Sequence, residues 1–159
     1  MQLLLLTGQR RNEIASLTRT YIKKDEKLIT LPAWLVKNNR EHTFAYGDAT
    51  AKIFATVPYQ TDLLFPARGY DDRPFCGWGK AKVALNRLCG VNFTLHDLRR
   101  SWATHAANLD VHPWVIEAHL NHVSGVVSGV SAIYNRHRYL TETRVAVTRF
   151  ESKLAALLV

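Results

Sequence analysis

The sequence has 159 residues, of which 47% are hydrophobic and 21% charged, a balance that supports one buried core and excludes a disordered basic tail. No apolar run approaches the roughly 20 residues of a membrane span, and the leucines at 3–6 are too few, with no basic segment before them, for a signal peptide. Lysine plus arginine outnumber aspartate plus glutamate 21 to 13, and the net charge of +8 favours a polyanionic partner, most simply nucleic acid, with no membrane role.

In chain order, residues 3–6 lead into Thr7-Gly8 with no helix-start signal ahead of them, so a buried helix is expected to begin before Met1 in a longer parent chain. Residues 13–17 continue a helical pattern, with Ile14 and Leu17 three apart. Residues 28–31 and 42–46 read as two strands around the polar turn 37–41, a hairpin ended by Gly47-Asp48. A helix follows over 48–57, with Ala51, Ile53, Phe54 and Val57 on its inner face. Residues 58–79, rich in Pro, Gly and Asp, read as a surface loop anchored by Leu63-Leu64-Phe65-Pro66. The next helix, 80–88, has Val83, Leu85 and Leu88 expected inward and Gly90 as its stop.

Thr94-Leu95-His96-Asp97 has the form of a capping box, and its helix is expected to run to about Asn108. Pro113 marks the first turn of another helix, carrying Trp114, Val115, Ile116 and Leu120. Residues 123–130 alternate valine with glycine and serine and read as a link, followed by a short helical segment over 131–139. The terminal helix, 142–158, presents Val145, Val147, Phe150, Leu154 and Leu157. The sum is an α+β domain, mostly α-helical, with one small antiparallel sheet. Two cysteines, Cys76 and Cys89, fit a reducing cytoplasm rather than a disulfide framework.

Four polar clusters interrupt or abut these helices: residues 7–13 (TGQRRNE), Lys37 in the hairpin turn, His96-Asp97-Leu98-Arg99-Arg100, and His119-Leu120-Asn121-His122 with Tyr134 beyond it. His96 and Arg99 are three apart and share a helix face. The start of that helix adds backbone N–H groups favourable to an anion. His119 and His122 share a face as well, but no third residue at metal-ligand spacing accompanies them.

The order T-G-x-R-x-x-E, hairpin lysine, H-x-x-R, late histidine and tyrosine resembles the catalytic domain of tyrosine recombinases, the phage integrase family. The closest likeness is to prophage and genomic-island integrases, through His122-Val123-Ser124-Gly125 and Tyr134-Asn135-Arg136. It covers nearly the whole chain. The resemblance implies the fold of the DNA breaking-rejoining enzymes, with residues 1–159 as a C-terminal catalytic domain whose N-terminal DNA-binding domains and first helix are absent. It implies Arg10, Lys37, His96, Arg99, His122 and Tyr134 as the catalytic set, Glu13 as support to Arg10, and Arg11, Arg40, Arg100 and Arg136 as cations for DNA.

The implied partner is double-stranded DNA at attachment sites, bound by a homotetramer with the apolar face of the terminal helix offered to a neighbouring subunit. The implied location is the cytoplasm, on the nucleoid of a bacterium or in a phage-infected cell. Asn121 departs from the family by standing where glycine is common, and Ala45-Tyr46 replaces Pro-Leu after the hairpin.

Phosphodiester chemistry explains these residue types. Two permanently charged guanidinium forks neutralise the oxygens of a pentacoordinate phosphorane. Tyr134 attacks phosphorus to give a 3′-phosphotyrosine, with His96 as its base. Lys37, with Arg40 as the competing cation, protonates the leaving 5′-oxygen, and His122 donates to a phosphate oxygen. Neither metal, other cofactor nor ATP is expected, since the carboxylates are scattered rather than paired as in two-metal nucleases. A non-catalytic basic DNA-binding module and a type IB topoisomerase are the alternatives, and Tyr139 competes with Tyr134 as nucleophile.

Overall fold

The computed structural model describes residues 1–122 and 139–157. The link expected over 123–130 and most of the helical segment after it, with Tyr134 and Arg136, lie outside the described residues. The elements are α1 (Gln2–Thr7), α2 (Arg11–Ala15), β1 (Ile22–Lys23), β2 (Leu28–Leu31), β3 (His42–Ala45), α3 (Asp48–Thr56), α4 (Trp78–Cys89), α5 (Leu95–Ala107), α6 (Pro113–Leu120) and α7 (Leu140–Leu157).

The sheet is antiparallel in the order β1-β2-β3, so the expected hairpin gains a third strand. β1 escapes sequence reading because two residues are too short for any alternation to appear. Leu28 pairs with Ala45 and Leu31 with His42, which places the β2–β3 connection, and Lys37 in it, beyond the Leu31–His42 end. A 3-10 turn at Ala33–Leu35 opens that connection.

Two apolar clusters hold the helices on this sheet. Leu4, Leu17, Ile29, Leu31, Phe44 and Phe54 form the first, with Leu64 of the long loop as the expected anchor. Trp102, Ala106, Ile116, Leu120, Val147 and Phe150 form the second, between α5, α6 and α7. Truncating a fully buried aromatic such as Phe150 to alanine costs about 3–5 kcal/mol.

Two expectations are corrected. Val83 and Leu88 of α4 are 66% and 84% exposed rather than inward, because no element of the described chain covers that face. The apolar face of α7 was expected to meet a neighbouring subunit, but Ala146, Val147 and Phe150 are buried in the chain's own core. Only Val145 and Leu157 of its large apolar side chains are exposed.

Candidate functional site

The site starts at a turn that only glycine allows. Gly8 ends α1 in the left-handed region, with φ of 64°. A Cβ there would also lie 2.8 Å from Leu120 Cδ2 and 2.9 Å from Trp102 Cγ, so conformation and space both exclude a side chain. The turn points the Gly8 carbonyl at Arg99 and delivers Arg10 to the start of α2. There the buried Glu13 carboxylate accepts from the Arg10 backbone N–H at 2.9 Å and from Arg10 Nη1 at 3.0 Å. Arg10 Nη2 donates to the Asn121 carbonyl at 3.2 Å.

Arg99 reaches the same place from α5, whose start is fixed by the expected Thr94–Asp97 capping box. It is 3% exposed, and its fork is filled by carbonyls: Nη1 donates to Gly8 at 2.8 Å and Nη2 to Leu120. Its Nε donates to His122 Nε2 at 3.2 Å. Burial, and secondly Arg10, push the guanidinium down to about 10, which leaves it cationic at neutral pH. Neutral partners satisfy its geometry without cancelling its charge, and the nearby Glu13 and Glu117 carboxylates favour that charge.

The His122 Nδ1–H donates to Glu117 Oε1 at 3.3 Å, since a carboxylate only accepts. Nε2 is then the bare nitrogen that accepts from Arg99. Burial first, then Arg99, hold this imidazole below its ordinary pKa against the pull of Glu117. Both ring nitrogens are engaged, so in this arrangement His122 orients Arg99 and has no donor left for a phosphate.

Arg10, Lys37, His96 and Arg99 line one open cleft of about 730 Å³, together with Arg11, Glu13, Lys82 and Trp78. Lys37 and His96 are exposed side chains on its rim. Arg40 is exposed and does not line the cleft, and neither does Arg100, which pairs with Asp97 at 3.4 Å. His122 touches the cleft through Arg99. Tyr139 accepts from the Thr143 N–H at 2.8 Å through its carbonyl and opens α7.

Behind the cleft lies a polar layer that sequence reasoning missed. Gln9 Nε2 donates to the His119 carbonyl at 2.8 Å and to the Thr7 carbonyl at 3.2 Å. The His42 Nε2–H is shared between that His119 carbonyl at 3.1 Å and Gln9 Oε1 at 3.3 Å. His119 stacks on Trp102 with ring centroids 4.1 Å apart and donates from Nε2 to the Thr7 carbonyl at 2.9 Å. Burial is the main cause that lowers His42 to about 3 and His119 to about 4, so both are neutral. The signals in the sequence were Gln9 and His119, each inside a polar cluster that abuts a helix.

Comparison with known proteins follows the same lines. The family model described as the phage integrase family matches residues 1–140. Among solved structures, the integrase from mycobacterium phage Brujita superposes with a TM-score of 0.72 at 22% identity, covering 93% of this chain and 49% of that one. The XerH site-specific recombinase bound to its difH substrate gives 0.62 at 18% identity, covering 86% and 41%. The Tn1549 transposon integrase in complex with circular intermediate DNA gives 0.59 at 17% identity, covering 90% and 54%. These likenesses establish the fold, a mostly helical domain with a small antiparallel sheet, and the chain spans about half the length of those structures. No curated protein is a significant match.

Proposed function

The chain belongs to the phage integrase family, and from that premise we propose that it is the catalytic part of a site-specific DNA recombinase acting through a 3′-phosphotyrosine. The observation that carries this reading is the convergence of Arg10, Lys37 and the His96–Arg99 pair, from three separate stretches of sequence, on one cleft.

In this mechanism the scissile phosphate enters the cleft against Arg10 and Arg99. Arg99 is pre-set by carbonyls and His122, so little reorganisation is needed when charge builds on the non-bridging oxygens. Removing one such donor costs about 10²–10³ in rate. The Tyr134 hydroxyl gives its proton to His96, and its oxygen bonds to phosphorus as the bond to the 5′-oxygen breaks. Lys37 Nζ protonates that oxygen. The 5′-hydroxyl of an exchanged strand then attacks the phosphotyrosine and restores Tyr134. Lys37 is preferred to Arg40 because only Lys37 lines the cleft. Arg11, Arg40, Arg100 and Arg136 bind flanking phosphates, and a homotetramer of the parent enzyme holds two duplexes.

The test is a nicked suicide duplex carrying a site enriched from a random-sequence library by binding to the protein. Wild type should form a covalent adduct on a denaturing gel and Tyr134→Phe none. A wild type that binds without an adduct would leave a DNA-binding module in its place. An adduct without exchange between two matched sites would indicate a topoisomerase.

A further inference from the structure

The C-cap of α6 joins two parts of this site. Asn121 sits in the left-handed region at φ 50°, a conformation that asparagine tolerates better than most side chains. Its carbonyl accepts from Arg10 at 3.2 Å. Its neighbours hold Arg99: the Leu120 carbonyl accepts from Nη2 and His122 from Nε. Its side chain does something else. Asn38 Nδ2 donates to Asn121 Oδ1 at 2.8 Å, and Asn121 Nδ2 returns a longer bond to Asn38 Oδ1 at 3.4 Å. This reciprocal amide pair spans 83 residues and ends one residue from Lys37.

We propose that Asn121 is a positioning residue, whose side chain, paired with Asn38, holds the Lys37 loop against the arginine pair. Lys37 itself is exposed, and the Asn38 amide ties its loop to the α6 cap whose carbonyl accepts from Arg10. Asn38 Oδ1 also accepts from the Arg40 N–H at 3.4 Å, which closes the loop on itself. A glycine at 121 would keep the backbone turn and the carbonyl on Arg10 while releasing the loop. Asparagine at this cap therefore couples two parts of the site that its backbone alone does not join. The inference rests on the reading of Lys37 as proton donor.

The experiment compares Asn121→Gly, Asn38→Ala and Lys37→Ala on the suicide duplex described above, made either with the ordinary scissile phosphodiester or with sulfur in place of the 5′-bridging oxygen. A thiolate leaves without a proton, so sulfur bypasses the acid. Asn121→Gly and Asn38→Ala should each slow adduct formation about tenfold on the oxygen substrate, as a displaced acid does. Both should come within about twofold of wild type on sulfur, and the double variant should be no slower than either alone. Equal slowing on both substrates by both single variants would overturn the inference alone, provided that sulfur rescues Lys37→Ala. Failure of sulfur to rescue Lys37→Ala would overturn the acid assignment and this inference with it. Asn38→Ala truncates a partly exposed loop residue, so it reports on the pair even if Asn121→Gly is too unstable to assay.

Discussion

A guanidinium buried to 3% exposure and hydrogen-bonded to two carbonyls and an imidazole keeps its charge with no direct ion pair among the described residues. Arg99 was legible from the H-x-x-R spacing, because a helix forces residues three apart onto one face. Arg10 was legible from T-G-x-R, because Gly8 is required where the Leu120 and Trp102 side chains close on the turn. The Gln9–His42–His119 layer was not, since its partners come from elements with no sequence relation to one another. That layer has a measurable consequence. His42 and His119 are depressed below the ordinary 6.5 in the fold, so the unfolded chain binds more protons in acid. Stability from this source is complete above about pH 6.5 and is lost as pH falls toward 4 and then 3. Chemical denaturation from pH 7 to 4 should show a decline of roughly 2–3 kcal/mol from each imidazole. His42→Gln should remove about half of it, leaving the His119 share, and an unchanged acid slope would refute the assignment.

At the level of elements, the periodicity of α4 and α7 predicted helices correctly but misjudged the face of α4 and what covers the face of α7. An apolar stripe records which side chains could be buried, whereas burial depends on whether another element arrives. No described element covers Val83 and Leu88, while α5 and α6 receive Phe150 and Val147. α7 is also fixed by Glu151, whose carboxylate accepts from the Ala49 N–H at 2.8 Å and the Thr50 N–H at 3.3 Å and so caps α3 from another helix. A Cβ on Gly47 would stand 2.3 Å from Glu151 Oε2 and displace that cap. Glu151→Ala and Gly47→Ala should each destabilise the fold by about 1–2 kcal/mol in urea unfolding. The double variant should cost no more than the larger single effect, and additivity would show that the two do not share the cap.

For the whole molecule, the surplus of eight positive charges divides between a few cations committed to the cleft and others facing solvent. If Arg100 meets flanking phosphate, Arg100→Ala should weaken binding to a random-sequence duplex and reduce the slope of log K against log salt by about one. Fluorescence anisotropy over a salt series measures this, and an unchanged slope would remove Arg100 from the interface. The fold class was legible because helix caps, turn residues and period are local. The closure of the second core by one late helix was not. That closure sets an order of assembly during synthesis. A ribosome releases Arg10, Lys37 and Arg99 long before Phe150 and Glu151, so the emerging chain carries its cations while the second core is open and α3 is uncapped. The second core closes only after α7 has left the exit tunnel, so a nascent chain stalled before Phe150 should leave Trp102, Ile116 and Leu120 uncovered.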